Sequence, residues 1–246
     1  MITMKNLIYS FCIGLFLILT GTESIFAQSP ISKAVTAEKQ SSLTPQRVLE
    51  MLREGNQRFI KDNLRSYNYR KEMKVTSSQG QFPIAIILNC MDSRSIADIL
   101  FDQGLGNLFV ARVAGNVVDT NMLGSMEFAT AHAGVPLIVV MGHTHCGAVR
   151  GACAGGASGN LKRLLNNIQP AVKKIIHGDN SAKACENPET IDAIAKQNVI
   201  NQMSMILKNS STIAQMVKEH KVMLAGAMHD IRTGKVVFFD INGNEA

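Results

Sequence analysis

Two short segments of this chain carry side chains that could bind and use a metal: Cys90-Met91-Asp92-Ser93-Arg94 and His143-Thr144-His145-Cys146. Thiolates and neutral imidazoles are typical zinc ligands, and a closed structural site takes four of them, usually from paired Cys-x-x-Cys hooks. Here three stand out, Cys90, His143 and Cys146. That leaves one position for water, as in a catalytic site. Asp92 and Arg94 beside the first thiol are spaced so that a turn folds guanidinium onto carboxylate as a bidentate pair. Bland alternatives stand next to each: a lone buried cysteine commonly packs as a small hydrophobe. An Asp-x-Arg pair can be a structural ion pair and an N-cap for a helix opening near Ser95.

Both segments directly follow a short apolar run. Residues 83–89 and 135–141 are continuous enough to be strands buried on both faces of a parallel sheet, with residues 108–113 as a third. Helical stretches at 95–101 and 123–132 lie between them, giving right-handed crossovers. Further helices are expected at 198–208 and 211–220, then a strand pair, 222–227 and 235–239, joined through Thr233-Gly234. Upstream, Thr44-Pro45 opens a helix to about Asp62 whose apolar face (Val48, Leu49, Leu52, Phe59, Ile60) must be buried on its own core or on a second subunit. The expected class is α/β, a central mostly parallel sheet flanked by helices with an N-terminal helical arm. In such sheets the carboxyl ends of strands gather functional groups, so Cys90 and the segment after residue 142 can meet in space.

Composition bounds the rest. A chain of 246 residues, 46% hydrophobic, buries a substantial core as one domain. Its formal charge of +6 is dispersed, and 3 Tyr with no Trp make a poor stacking platform, which excludes a nucleic-acid partner. Residues 1–27 read as a secretory signal peptide, with Lys5, an apolar run over residues 7–19 and the small Ala27 before a cut. That run is shorter than the ~20 residues that span a bilayer, so no membrane anchor remains after cleavage. Residues 28–43 are expected to be a flexible leader and 44–246 a single catalytic domain. The implied location is exported, periplasmic, an oxidising compartment. Cys12 leaves with the peptide, and a metal would protect Cys90 and Cys146. Cys153 and Cys185 are either free thiols or a disulfide, and both remain open.

Taken in order, Gln81, the Cys-x-Asp-Ser-Arg segment, Phe101-Asp102-Gln103-Gly104-Leu105-Gly106, Arg112-Val113-Ala114-Gly115-Asn116, the His-x-x-Cys-Gly segment ending at Gly147 and the final strand pair resemble a β-class carbonic anhydrase. The likeness runs from about Thr44 to Gly243. It implies a β-carbonic-anhydrase-like fold and one zinc per chain held by Cys90, His143 and Cys146. Asp92 and Arg94 are implied as the catalytic pair, Asp92 either resting on Arg94 or swinging onto zinc as a conditional fourth ligand. His145 falls at the variable position of the motif and is not expected to ligate. The implied reaction is reversible hydration of carbon dioxide to bicarbonate by zinc-hydroxide attack. Three neutral histidines bring zinc-bound water to a pKa of about 7. Two thiolates cancel the metal's charge, so activity here should rise on the alkaline side.

By position, Gln81, Phe109 and Gly147 are implied as the substrate pocket. They also have plain readings as a surface residue, strand core and a turn glycine. One branch of the family forms a second, inhibitory bicarbonate pocket from Trp, Tyr and Arg. This chain has Arg112 in place but Ile87 where the Trp would stand, so no such pocket is expected. Phe128 replaces a Tyr of some members. The resemblance further implies a homodimer or a multiple of dimers with active sites at the interface. Two rival functions share these ligands: hydrolysis of carbonyl sulfide or carbon disulfide, and non-catalytic zinc binding by an exported protein, which would not need Asp92 with Arg94.

Overall fold

The computed structural model describes residues 34–176 and 181–245. The chain enters through a short helix α1 (Ala37–Ser41) and then α2 (Pro45–Ile60), where the Thr44 hydroxyl accepts the Arg47 N–H at 3.2 Å and Pro45 fills the first helical turn. Helix α3 (Tyr69–Gln79) follows. The α/β core then runs β1 (Ala85–Asn89), α4 (Ala97–Leu100), β2 (Leu108–Arg112), α5 (Thr120–Glu127) and β3 (Leu137–His143). Helices α6 (Gly147–Ala154), α7 (Gly159–Asn166), α8 (Gln169–Ile175), α9 (Ser181–Ala184), α10 (Pro188–Asn209) and α11 (Ser211–Lys218) lead to β4 (Met223–His229) and β5 (Val236–Phe239).

The five strands form one sheet in the order β2-β1-β3-β4-β5. All neighbours are parallel except β4 and β5, an antiparallel pair whose connection turns at Gly234 (φ +75°). The two runs that read as doubly covered strands are buried at every position, as β1 and β3. Sequence order reverses direction between them: the chain leaves β1 for β2 on one side and returns to β3 on the other. Such a switch point opens a crevice beyond the carboxyl ends of the two strands. Cys90 is the residue after β1, and His143 is the last of β3.

Three apolar clusters hold this frame. One packs α2 and α4 on one sheet face through Val48, Leu52, Leu100 and Phe101. A second packs α5, α10 and α11 on the other through Met126, Val199, Met203 and Ile213. The third gathers α6, α8 and α10 around Cys90 and Cys146 themselves. Helix α10 lies so near β3 that a Cβ on Gly142 would meet Val199 Cγ2 at 2.8 Å and Met228 Sδ at 2.9 Å. A side chain there would push out the strand end that carries His143.

Several expectations change. Residues 34–43, assigned to a flexible leader, are ordered: Val35 N–H donates to the Asn107 side chain at 3.1 Å, and the Gln40 amide reaches the carbonyls of Pro83 and Ala133 at 2.7 and 2.9 Å. Polar composition hid contacts made through two side-chain amides. The rest of that leader and the expected signal peptide lie outside the described residues. The helix expected over 95–101 shortens to α4, and that over 123–132 starts earlier and widens into a π-helical turn at Phe128–His132. Asp102 is buried against the Arg58 guanidinium of α2, tying the helical arm to the loop before β2.

The alternative left open for Cys153 and Cys185 resolves as a disulfide with Cα atoms 5.6 Å apart and a sequence separation of 32. It joins the end of α6 to the segment before α10. Closing a loop of that length removes about 3–4 kcal/mol of unfolded-chain entropy. Reduction, verified by thiol titration, should therefore lower the melting temperature by roughly 5–15 °C. An unchanged melt after complete reduction would overturn that assignment of its role.

Candidate metal centre

Cys90 leaves the sheet with its sulfur turned inward, where the Gly115 N–H donates to it at 3.4 Å. Gly115 sits at φ +68°, and a Cβ on it would meet Ile168 Cδ1 at 2.6 Å. Glycine suits this position, which combines a positive φ with the close approach of Ile168 at the start of α8. Asn89, the last residue of β1, closes the following loop by donating its amide to the Ser95 carbonyl at 2.7 Å.

The second segment is shaped by a left-handed residue. His145 has φ +55°, and its N–H donates to Asp192 Oδ1 of α10 at 2.7 Å. This turn brings Cys146 back beneath His143 at the cap position of α6, and the Ala148 and Val149 N–H groups of that helix favour its thiolate. His143 is 1% exposed. Its Nδ1 lies 2.9 Å from the Thr144 carbonyl, to which it must donate, so the proton is on Nδ1 and Nε2 presents a lone pair. That Nε2 is buried with no hydrogen-bond partner. An orphaned nitrogen of this kind is costly unless a further group binds it.

The ligand atoms of Cys90, His143 and Cys146 all lie within 4.8 Å of one another. Tetrahedral zinc, with bonds of ~2.0–2.3 Å, needs separations of about 3.3–3.8 Å, so one ion closes the cluster with small side-chain movements. The electrostatics agree. The Cys90 thiol is pushed well down, chiefly because the Cys146 thiol hydrogen-bonds to it, with His143 and the Gly115 N–H helping against the effect of burial. Cys146 is pushed up by the same shared proton. A dication in that proton's place would let both sulfurs ionise.

Asp92 rests on Arg94. The Arg94 Nε and Nη2 donate to Oδ1 and Oδ2 at 3.0 and 2.8 Å, and the Arg94 N–H reaches Oδ1 at 3.0 Å. These bonds hold the carboxyl well below the usual carboxylate range. Oδ2 is also 3.9 Å from His143 Nε2, so the carboxylate edges the orphaned nitrogen. Gly147 opens α6 directly after Cys146, and nothing lies within 4 Å of where its Cβ would be.

Gln81 and Phe109 are not brought to this cluster within one chain. Gln81 is exposed before β1, at the opposite end of that strand from Cys90. Phe109 faces a separate cavity of about 690 Å³ with Ile86, Asn121, Met122 and Phe128. Sequence position alone cannot tell which end of a strand, or which subunit, a pocket residue serves. Conversely, Asp192, Gly115 and His229 support the centre without having been singled out. Gly115 stood inside a quoted motif, but nothing near Asp192 or His229 signalled the site.

His229 pairs in register with His143 on the neighbouring strand and is 2% exposed, with Nδ1 3.3 Å from Ser95 Oγ. Burial first, then the neighbouring His143, pushes its pKa down to about 4. The folded chain thus takes up this proton near pH 4 and the unfolded chain near 6.5. The associated stability is intact above 6.5 and is lost as pH falls towards 4, on the order of 2–3 kcal/mol. In a ¹⁵N-resolved imidazole titration His229 should remain neutral down to about pH 5; a midpoint near 6.5 would contradict its burial.

A family model described as carbonic anhydrase matches residues 85–236. A protein named carbonic anhydrase 2 from Mycobacterium tuberculosis is 33% identical over 198 residues, covering 78% of this chain and 92% of that protein. A carbonic anhydrase from Pseudomonas aeruginosa is 32% identical over 200 residues, covering 76% and 86%. Among solved structures, a chain from a study of two tetrameric β-carbonic anhydrases of Sordaria macrospora superposes with a TM-score of 0.60 at 25% identity, covering 69% of this chain and 91% of that one. A β-carbonic anhydrase of Aspergillus fumigatus shares the fold, with a TM-score of 0.62 at 22% identity over 80% of this chain and 90% of that one.

Proposed function

This chain belongs to the β-carbonic anhydrases, zinc enzymes that interconvert carbon dioxide and bicarbonate, and from that membership we propose how its own residues divide the work. Cys90, His143 and Cys146 hold the zinc; the observation that carries this is the unpartnered, buried Nε2 of His143 facing two sulfurs at the sheet's switch point. Zinc bound there would supply a Lewis acid that lowers the pKa of water and makes it a nucleophile. Asp92, kept ionised by Arg94, accepts a hydrogen bond from the attacking water and fixes its orientation. Its low pKa makes it an acceptor rather than a store of protons. The missing side chain of Gly147 leaves room beside Cys146 for a small apolar substrate.

The working unit we propose is a dimer or a multiple of dimers. Supporting it, apolar side chains remain exposed beside the Cys90 loop, with Met91 at 63%, Ile96 at 38% and Ile99 at 46%; patches of this kind mark association surfaces. Gln81 and Phe109, distant from their own chain's cluster, are then contributed to the pocket of the second copy. We also propose export to the periplasm. The pattern of residues 1–27 supports it, as does the Cys153–Cys185 disulfide, a bond of oxidising compartments. Among the described residues no helix is long and apolar enough to cross a membrane.

The test is stopped-flow carbon dioxide hydration by metal-analysed mature protein across pH, beside sedimentation and N-terminal analysis of the secreted chain. About one zinc per chain, with activity rising on the alkaline side, is the expected result. Zinc without hydration at any pH would turn the reading to carbonyl sulfide or carbon disulfide. A fully active monomer would remove the proposed interface, and an uncut N-terminus the proposed export.

A further inference from the structure

The ladder between β1 and β2 ends at Asn89 and Arg112, with the Val113 N–H donating to the Asn89 carbonyl at 3.1 Å. The carbonyls of Cys90 and Asp92 therefore lie beyond the last strand pairing, in the loop that begins at the first ligand. Arg112, the final residue of β2, reaches across to both. Its Nε donates to the Cys90 carbonyl at 3.2 Å and its Nη2 to the Asp92 carbonyl at 2.6 Å. One planar guanidinium thus replaces a missing strand and spans Met91, whose side chain is exposed in the single chain. The Asp92 carbonyl takes one further bond, from the Ser95 N–H at 3.0 Å.

What this clamp fixes is the direction of the Asp92 side chain. With its backbone held, the carboxylate meets Arg94, yet its Oδ2 is already 3.9 Å from His143 Nε2. A modest rotation of the peptide units around Met91 would carry it towards the ligand cluster, where an anion is attracted to a dication. We propose that Arg112 is a positioning residue that, by clamping the Cys90–Asp92 backbone, keeps Asp92 on Arg94 and the fourth coordination position free. The inference rests on the zinc reading above. Arg112 bonds the Cys90 and Asp92 carbonyls rather than their side chains and acts through the loop. Arginine suits the task because its fork bonds two carbonyls in one plane; the single ammonium of lysine cannot bridge them with the same geometry.

The experiment compares wild type, Arg112→Ala and Arg112→Lys as mature holoproteins, in zinc and cobalt(II) forms. Its readouts are metal per chain, kcat and KM separately, and azide titration of the cobalt visible bands, which reports access to the open position without turnover. Arg112→Ala should keep about one metal per chain and lose roughly 10–100-fold in kcat, the usual cost of an outer-shell change at a metal site. KM should move less, azide should bind at least ~10-fold more weakly, and Arg112→Lys should fall between. In an Asp92→Asn background the same alanine change should leave azide binding unaltered, because the competing carboxylate is gone.

Wild-type kcat and azide response in Arg112→Ala would overturn the proposal. So would an equal loss of azide binding in the Asp92→Asn background, which would mean general loosening of the loop. If Arg112→Ala fails to fold, Arg112→Lys decides by the same readouts, and wild-type behaviour there refutes the clamp. A wild type that binds no metal would refute the zinc reading itself, and this inference with it.

Discussion

Cys146→Ala is expected to abolish both metal binding and carbon dioxide hydration. The substitution removes one of three ligands from a cluster whose atoms lie within 4.8 Å of one another, leaving one thiolate and one imidazole. Even outer-shell changes cost about 10–100-fold in metal affinity or activity, and a lost ligand costs more. Zinc should fall well below one per chain after dialysis, with hydration at least ~10³-fold down, indistinguishable from the uncatalysed rate. The chain should still fold, since Cys146 is a small residue in an apolar cluster of α6, α8 and α10, and alanine fits the same space. Its melting temperature should no longer respond to added zinc, because a ligand stabilises only the state it binds. A variant that retains stoichiometric zinc and activity would show that Cys146 is not a ligand.

Asp92→Asn separates catalysis from metal binding. The amide keeps the shape of the carboxylate and can still accept from Arg94, so the loop should hold, and the exposed half of that pair contributes little to stability. What disappears is the negative charge beside the orphaned His143 nitrogen, and with it the charged acceptor proposed to orient the attacking water. Loss of a group that orients a reactant costs about 10²-fold when the reacting atoms are misplaced by ~1 Å. The expected result is a full complement of zinc and a kcat/KM at least ~10²-fold lower. Loss of zinc would make Asp92 an obligatory ligand instead. Unchanged activity would favour a zinc-binding role without catalysis.

Much of the fold was legible because its signals are local. Unbroken apolar runs marked β1 and β3, since strands covered on both faces have no solvent-facing side to encode. Thr44-Pro45 marked the start of α2 because the cap hydroxyl accepts one of the first turn's unpaired N–H groups and proline, lacking an N–H, removes another. The order of the N-terminal residues from Ala34 is not legible in the sequence, because it comes from Gln40 and Asn107 meeting distant backbone, and such contacts leave no periodic trace.

The donor types, two thiols and an imidazole with Asp92 and Arg94 beside them, were legible in the sequence, because ligand chemistry resides in side-chain identity; the choice of His143 over His145 came from the family motif. The sequence also showed that each ligand segment follows a buried strand. The tertiary structure alone decided that those strands are neighbours at a switch point, that His145 turns left-handed so Cys146 can reach back, and that Asp92 rests on Arg94. It alone joined Cys153 to Cys185 and laid Arg112 over the Cys90 loop. It likewise placed Gln81 and Phe109 away from the cluster of their own chain. The reason is physical: residue type fixes what a group can bond, whereas which groups meet depends on strand order, helix approach and backbone handedness, set by packing summed over the whole chain.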